Sequence, residues 1–385
     1  MIIWARRSQA NEFRRAGEQR IAFKGGHRPP LQTYEVVQAE AAEIAHTGGR
    51  GCPDRGGGGC PCRRKSVSFI TKGDYTVFFS TRDEVVKMTP MWKGERMEDG
   101  RPKVPDSTIA RMRKMNMTME EVWGLSWANN YEFQVESDLR ATHSTDTPLI
   151  GRALTINCLP FREDLHAVTK PESEAFGFTG HYNKAAVDRL VKDDVMVVDF
   201  YDKVMYGTFF GGNLSTTVAR RTQGGGVVIW GGIRDLDQVK HIENLQIYYR
   251  GTHPTAIRDY VMTGYNRPTL IGGALCMPGD IVFGSSEGVV FIPAHLVEAT
   301  VESAEKSHIR DEFGFERLRE QKYTATAIDS PWTDEMNADF AEWFKSSPKT
   351  REYQYLDFRE DFERQKSGEP TVFMKRARSG LSWNP

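Results

Sequence analysis

Short runs of β-branched and aromatic residues recur between glycines, prolines and polar segments from about residue 66 onward. Runs of this length, bounded by turn residues, are typical of buried strands. The strands predicted in this way are 148–157 (PLIGRALTIN), 194–200 (DVMVVDF), 227–230 (VVIW), 245–251, 269–276, 280–284 and 288–293. Helical stretches lie among these runs, and this pattern indicates an α/β or α+β fold.

Capping signals and the spacing of apolar residues predict the helices. Asp106 and Ser107 form the expected N-terminus of a helix that runs through Met115. Thr118, followed by Glu121, has the spacing of a capping box for a second helix that ends near Gly124. Residues 161–183 are polar and are predicted to form a loop. The remaining helices are predicted at 184–192, from 294 to about 320, near 333–345 and near 355–366.

Composition limits the class of protein. The chain has 385 residues, of which 39% are hydrophobic and 27% charged, with a formal net charge of −1. These values are ordinary for a soluble protein of two or three domains and give no general attraction for nucleic acid. The absence of a run of 18 apolar residues argues against a membrane span. Five scattered cysteines do not form a disulfide framework, so we expect a cytoplasmic protein without nucleic-acid or membrane partners.

The first 65 residues differ from the rest of the chain. They hold 12 Lys/Arg against 6 Asp/Glu, a net charge of +6, and are rich in glycine. Such a composition buries too little apolar surface to fold, and the spacing of Cys52, Cys60 and Cys62 matches no common zinc pattern. We predict a disordered low-complexity tail at 1–65, a helical N-terminal extension at 66–147, a core at 148–325 and a helical C-terminal extension at 326–385.

The segment from Gly211 to Asp235 concentrates the candidate chemistry. It consists of a glycine turn, a helix at Leu214–Thr222, a second glycine turn, a strand, and a third glycine turn that precedes Arg234. A helix followed by a strand returns the chain to its start, so Asn213 and the Arg234–Asp235 pair, with 20 residues between Asn213 and Arg234, are expected to meet. Arginine binds carboxylates through two hydrogen bonds, and aspartate binds hard divalent cations. This combination suits a 2-oxo acid.

The stretch from about 148 to 322 resembles the RraA-like family, which includes 4-hydroxy-4-methyl-2-oxoglutarate / 4-carboxy-4-hydroxy-2-oxoadipate aldolases. Four landmarks carry the resemblance: PLIGRALTI, DDVMVVDF, GGNL followed by GGIRD, and RPTLIGGALCMPGDIVFGSSEGVVFIP. The family pattern is an aspartate, twenty residues, then Arg-Asp; here Asn213 stands in place of the aspartate. The resemblance implies an α/β, swivelling β/β/α-type core, with N- and C-terminal extensions around it, in homotrimers or hexamers with active sites between subunits.

The resemblance also implies a catalytic site that depends on Mg²⁺ or Mn²⁺. Asp235 would be a metal ligand, and Arg234 would bind the pyruvyl oxygens of the substrate. Gly212, Asn213 and Leu214 would hold the substrate carboxylate through their backbone N–H groups at a helix N-terminus.

An acidic residue on the C-terminal helix of an adjacent subunit is a further element of this implied site. It would help to hold the metal-bound waters. Glu312 is the candidate for this role, and Glu305 is the rival candidate.

The expected reaction is the release of pyruvate from a small 4-hydroxy-2-oxo acid. Retro-aldol cleavage leaves the enolate of pyruvate, whose charge a divalent metal and Arg234 would stabilise. No histidine is an obvious base, and a metal-bound water could take the proton of the C4 hydroxyl. Decarboxylation of oxaloacetate passes through the same enolate and is the expected side activity. These arguments predict a metal-dependent carbon–carbon lyase.

Several alternatives remain open at the level of sequence. Asn213 can keep the role of helix N-cap but adds no charge, so metal affinity falls or the substrate carries the missing charge. Some members of the family inhibit a ribonuclease machine, so a non-catalytic regulator is the second function class. Arg234–Asp235 can also be a structural ion pair at a turn. His253 either lines the site or caps a loop, and Arg258–Asp259 is expected to be a solvated pair.

Overall fold

A mixed β-sheet is the framework of the residues that the computed structural model describes, 77–115 and 117–367. Within these residues the sheet has nine strands in the order β1-β11-β10-β3-β4-β5-β6-β2, with β7 paired to β3, while β8 and β9 form a separate hairpin. The strands are β1 (Val135–Glu136), β2 (Arg140–Ala141), β3 (Leu149–Pro160), β4 (Asp194–Lys203), β5 (Gly226–Ile233), β6 (Gln246–Thr252), β7 (Tyr260–Tyr265), β8 (Thr269–Ile271), β9 (Ala274–Cys276), β10 (Ile281–Ser285) and β11 (Gly288–Ile292).

Four neighbouring strands, β3, β4, β5 and β6, run parallel, so their carboxyl ends lie at one edge of the sheet. On the other side of β3 the sheet continues through antiparallel β10, β11 and β1. Parallel strands covered on both faces have continuous apolar sequences, which explains why β4 was predictable from DVMVVDF. The prediction of an α/β core is confirmed, and the predicted tail at 1–65, with its three cysteines, lies outside the described residues.

Helices cover the sheet and extend beyond it. They are α1 (Arg82–Met88), α2 (Asp106–Lys114), α3 (Met119–Ala128), α4 (Glu163–Ala175), α5 (Tyr182–Val187), α6 (Gly212–Thr222), α7 (Leu236–Val239), α8 (Val297–Arg319), α9 (Ala325–Ile328), α10 (Asp334–Ser346) and α11 (Arg359–Lys366), with short 3₁₀ turns at Ala294–Leu296 and Pro348–Tyr353. The capping box of α3 is confirmed: the Glu121 N–H donates to Thr118 Oγ1, and the Thr118 N–H donates to Glu121 Oε2. The helix continues past Gly124 to Ala128.

The predicted loop at 161–183 is wrong, because α4 occupies most of it and α5 begins at Tyr182. The predicted helix at 184–192 overlaps α5 only in part. Pro171 lies inside α4, and a proline at that position argues against a helix. The buried face of α4 is also polar and includes Glu172, so the helix has no apolar stripe. Glu172 Oε1 accepts the N–H groups of Phe78 and Phe79, each at 2.8 Å.

A buried ion pair connects the N-terminal extension to the sheet. Arg101 donates from Nη1 and Nη2 to the two carboxylate oxygens of Asp194 at 2.9 and 3.1 Å, and from Nε to Asp99 at 2.7 Å. The side chains of Arg101 and Asp194 are 2% and 0% exposed. The start of β4 is therefore held by a guanidinium from a segment about 90 residues earlier in the chain.

The C-terminal helices pack on the second half of α8. Phe313 is fully buried, and its ring lies 5.2 to 5.5 Å from those of Trp332, Phe340 and Trp343. Phe358 extends the same aromatic cluster beyond α10. This aromatic segment therefore packs against the chain's own helix.

Candidate functional site

The N-terminus of α6 and the carboxyl end of β5 meet at the edge of the sheet where the parallel strands end. Phe210, just before α6, pairs with Ile233 in a parallel bridge, and the Arg234 N–H donates to the Phe210 carbonyl at 2.9 Å. The helix and strand between them return the chain to its starting point. The predicted turn at the glycines 224–226 is confirmed: Gln223 and Gly224 have positive φ, and β5 begins at Gly226.

Arg234 and Asp235 face the first residue of α6. Asp235 Oδ2 accepts the Gly212 N–H at 3.1 Å and lies 3.3 Å from Arg234 Nε. Asp235 has a φ of 58°, and this left-handed conformation turns the chain sharply after β5. The two side chains are 29% and 36% exposed, so solvent and small molecules have access to both. By contrast, Arg258 and Asp259 form a pair with 63% and 59% exposure, as expected for a solvated pair.

Gly211 allows this close approach. A Cβ atom at this position would lie 2.6 Å from Asp235 Oδ2 and 2.7 Å from Arg234 Cζ, closer than non-bonded atoms tolerate. The backbone of Gly211 is extended, so the requirement for glycine is one of space and not of conformation. The acidic and basic side chains therefore lie directly against the backbone that begins α6.

The first turn of α6 presents backbone N–H groups toward solvent. Those of Asn213 and Leu214 have no acceptor among the described residues, as is usual for the first turn of a helix. Together with the helix dipole they favour an anion at this position.

The prediction that Asn213 caps α6 is wrong. Gly211 is the N-cap, and Asn213 is the second residue of the helix, because the helix begins at Gly212 and not at Leu214. The side chain of Asn213 is exposed and forms no hydrogen bond with a described residue. Sequence reasoning placed the helix start too late, because the two glycines at 211–212 are typical of a turn.

Asp235 is the one carboxylate of the predicted site that lies beside the start of α6. Among residues 77–115 and 117–367 no group of three or more His, Cys, Asp or Glu side chains could hold a metal ion. One carboxylate, open to solvent on one side, fits a divalent cation that keeps most of its waters, which is a common way for proteins to bind Mg²⁺. The donor set is compatible with a hydrated cation and not with a fully enclosed metal site.

Glu312, predicted to hold metal-bound waters from an adjacent subunit, lies on α8. Its carboxylate pairs with Lys349 Nζ at 2.6 Å, and this hydrogen bond lowers the pKa of Glu312. Within one protomer α8 packs against α2 and α3, whereas α6 packs against α5, α7 and β5. The rival Glu305 is buried and accepts two hydrogen bonds from Arg111. Neither residue lies on an element that packs against α6, so the role of Glu312 stays a prediction.

His253 lies at the same edge of the sheet, immediately after β6. Its N–H donates to the Ile233 carbonyl at 3.1 Å, and its Nδ1 lies 2.8 Å from Thr255 Oγ1. The imidazole ring packs on Tyr206, whose side chain is exposed. His253 therefore caps the loop after β6 and is next to the strand end that carries Arg234. Sequence reasoning considered both roles, and the position is compatible with both.

Residues 127–291 match the sequence model of a family described as RraA-like, Aldolase/RraA. The matched region is similar to an RraA-like domain. The match starts within α3 and ends in β11, so the matched region includes α6, β5 and the Arg234–Asp235 pair.

Two curated relatives are similar to this chain over part of their length. DlpA of Legionella pneumophila subsp. pneumophila is 27% identical over 154 residues, which are 40% of this chain and 23% of DlpA. A Halalkalibacterium halodurans protein, provisionally named 4-hydroxy-4-methyl-2-oxoglutarate aldolase, is 34% identical over 87 residues, 23% of this chain and 41% of that protein. The chain thus spans less than half the length of either relative.

Solved structures of similar proteins cover a little more than half of this chain. RraAS2 of Streptomyces coelicolor, described as an unusual member of the RNase ES inhibitor RraA protein family, is 22% identical with a TM-score of 0.46 and covers 57% of this chain and 98% of its own. An uncharacterized protein from Pseudomonas syringae pv. tomato is 16% identical with a TM-score of 0.48 and covers 59% of this chain and 94% of its own.

Cys158 and Cys276 are buried free cysteines that pack as small core residues, and burial raises the pKa of both thiols. No helix among the described residues is both long enough and apolar enough to span a membrane.

Proposed function

We propose that this protein is a divalent-metal-dependent lyase that cleaves a 4-hydroxy-2-oxo acid to pyruvate, with oxaloacetate decarboxylation as a side activity. The observation that carries the proposal is the contact of Arg234 and Asp235 with the N-terminus of α6. This arrangement puts a guanidinium, a carboxylate and unpaired backbone N–H groups within one small surface. The substrate class that needs all three is a 2-oxo acid with a cation at its keto oxygen.

The chain's own residues have separable roles in this proposal. Arg234 binds the pyruvyl oxygens and offsets the negative charge that develops as the enolate forms. The N–H groups of Asn213 and Leu214, with Gly212 beside them, hold the substrate carboxylate at the positive end of the α6 dipole. Asp235, which already accepts the Gly212 N–H, would hold the divalent cation. These five residues therefore bind and orient the substrate and the cation, and none of them transfers a proton itself.

The cofactor in this proposal is Mg²⁺ or Mn²⁺. The solvent-facing carboxylate of Asp235 would be its protein ligand, with Glu312 of a second copy of the chain as the proposed contact to its waters. When bound, the cation would supply positive charge that stabilises the enolate. Because Glu312 lies on an element that does not pack against α6, the proposal requires an oligomer, for which we propose a homotrimer or hexamer.

The test is a pyruvate-release assay, coupled to lactate dehydrogenase, with a panel of 4-hydroxy-2-oxo acids and oxaloacetate. Each substrate is tested with Mg²⁺, with Mn²⁺ and with EDTA. We expect metal-dependent pyruvate formation that Arg234→Ala abolishes. Arg258→Ala is the matched control, because it removes an arginine from an Arg-Asp pair that is solvated and lies outside the site. Equal activity of wild type and Arg234→Ala would overturn the proposal.

A non-catalytic regulator is the second candidate, and one observation favours it. Asn213 stands where the family pattern has aspartate, and its exposed side chain contacts no described residue, so the site has one carboxylate fewer. A folded protein that turns over no substrate in the panel with either metal would favour this candidate. Near-neutral net charge argues against direct RNA binding, so a protein partner would be expected.

A further inference from the structure

A second cavity lies between the N-terminal extension and the core, and it shares no lining residue with the α6–β5 edge. Its volume is about 180 Å³. This is roughly the space of six water molecules at about 30 Å³ each. The segment after α1 forms one wall, and residues of β9 and the segment after β11 form the other. Much of the lining is apolar and includes Met88, Pro90, Met91, Trp92, Leu275 and Pro293.

Asp280 is a buried carboxylate in the lining of this cavity. It is 5% exposed, and its two oxygens accept the N–H groups of Met277 at 2.8 Å and Ala294 at 3.3 Å. No Lys, Arg or His nitrogen among residues 77–115 and 117–367 forms an ion pair with it. An ionised carboxylate offers about four acceptor positions, so about two remain open. A buried carboxylate without a cation is costly, and a cationic ligand would offset that cost.

Gln134 is a second unsatisfied acceptor in the same cavity. It is 5% exposed, and its Nε2 donates to the Phe133 carbonyl at 2.7 Å, while its Oε1 accepts no hydrogen bond from any described residue. Two other polar side chains of the lining are hydrogen-bonded to each other, since Tyr131 Oη lies 3.1 Å from His295 Nε2. Burial lowers the pKa of His295, so the ring is neutral at pH 7 and supplies no competing cation.

Two open acceptors in an apolar cavity require a ligand with N–H donors, positive charge and a short hydrocarbon body. The aromatic rings of Trp92 and Tyr131 also line the cavity, and they favour a positively charged ligand because aromatic faces attract cations. We propose that this cavity binds a primary alkylammonium group, which donates hydrogen bonds to Asp280 and Gln134 while its alkyl chain packs on the apolar lining. A free aliphatic amine and a lysine side chain of a peptide share this chemistry.

The test measures binding to the full-length protein by isothermal titration calorimetry. The probes are n-butylammonium, 1-butanol, butyrate and Nα-acetyl-lysine N-methylamide. We expect n-butylammonium to bind at least tenfold more tightly than 1-butanol, with no detectable binding of butyrate. Burial raises the pKa of Asp280 to about 7, so affinity is expected to rise about tenfold from pH 6 to pH 8 as the carboxyl ionises. A tighter Kd for the lysine derivative than for n-butylammonium would identify a peptide as the source.

Two variants test the residues, with a matched control. Asp280→Asn should abolish binding of n-butylammonium, and Gln134→Met should weaken it at least threefold, while Asp259→Asn removes an exposed carboxylate outside the cavity and should leave Kd unchanged. If Asp280→Asn does not fold, the affinity of Gln134→Met for n-butylammonium and the pH dependence of wild-type affinity test the proposal. Equal affinity for n-butylammonium and 1-butanol, or unchanged affinity in either cavity variant, overturns the proposal. The cavity and the α6–β5 edge have no residue in common, so this outcome is independent of the pyruvate assay.

Discussion

The backbone N–H of Gly212 donates a hydrogen bond of 3.1 Å to Oδ2 of Asp235, although the two residues lie 23 positions apart. This bond closes the α6–β5 unit on itself. It also holds the Asp235 carboxylate at the positive end of the helix dipole. The carboxylate is therefore held in position before any ligand arrives, as preorganised sites require.

Gly211→Ala should disrupt this arrangement without unfolding the protein. The added Cβ would lie 2.6 Å from Asp235 Oδ2 and 2.7 Å from Arg234 Cζ, so both side chains must move. Under the proposed function we expect pyruvate formation to fall at least a hundredfold, since a displacement of about 1 Å at a reacting site has an effect of this size. The coupled assay measures it, and circular dichroism checks the fold.

The matched control for this substitution is Gly273→Ala. Gly273 lies in the hairpin between β8 and β9, and a Cβ built there meets no atom within 4 Å. The Gly273→Ala variant should form pyruvate at the same rate as wild type. Wild-type activity in Gly211→Ala as well would show that the spacing between Arg234, Asp235 and the helix start is unimportant for the reaction.

Asn213→Asp should increase divalent metal affinity. Asn213 is the second residue of α6, and its exposed side chain has no partner among the described residues, so the substitution breaks no observed contact. A carboxylate in the first turn gains about 0.3–1 kcal/mol from the helix dipole and adds negative charge on the same surface as Asp235. We expect tighter Mn²⁺ binding, measured by electron paramagnetic resonance titration. Asn213→Gln serves as the uncharged control, and equal Mn²⁺ affinity in both variants would contradict the prediction.

Much of this site was predictable from sequence because its geometry is local. A helix and a strand joined by tight turns return the chain to its origin, which brought Asn213 and Arg234 to the same edge, as expected. The glycine runs on either side of 227–230 indicate turns, and the apolar run between them therefore predicted the strand β5. The start of α6 was missed by two residues because glycine at 211–212 gives no capping signal that distinguishes a turn from a helix N-terminus.

The rest was not predictable because it depends on contacts between segments far apart in the chain. α4 has a polar buried face that is satisfied by the backbone of Phe78 and Phe79, so periodicity did not reveal it. The cavity near Asp280 is lined by the segment after α1 together with the segment after β11, which lie far apart in the sequence. The local sequence MPGD contains no pattern that predicts a ligand site. Arg101 and Asp194 are likewise paired across about 90 residues.

Arg101→Met should strongly destabilise the protein. It removes the partner of Asp194, which is 0% exposed, and leaves an uncompensated carboxylate in the interior. We expect a loss of about 3–5 kcal/mol in the free energy of unfolding, measured by urea denaturation. The double variant Arg101→Met, Asp194→Asn should recover a large part of this loss, because the stranded charge is then absent. A single variant within 1 kcal/mol of wild type would mean that the pair is not held in the interior.

Asp280→Asn should change the pH dependence of stability in a defined direction. Burial raises the pKa of Asp280 to about 7, whereas its ordinary value is 3.8. The folded protein therefore holds a proton that the unfolded chain releases, and the stability present below the unfolded pKa is lost as pH rises toward 7. Wild type should lose about 3 kcal/mol between pH 5 and pH 8 through this group, whereas Asp280→Asn should not.

The measurement is the difference between the unfolding free energies of Asp280→Asn and wild type in urea at pH 5, 6, 7 and 8. His295, whose pKa burial lowers, is present in both proteins and cancels in the difference. Any hydrogen bond lost by the amide is a constant offset across this range. The difference should shift in favour of Asp280→Asn as pH rises, and a flat difference would mean that Asp280 ionises freely in the folded protein. Saturating n-butylammonium should reduce the shift at pH 8, because a bound cation removes the cost of the buried charge that ionisation creates.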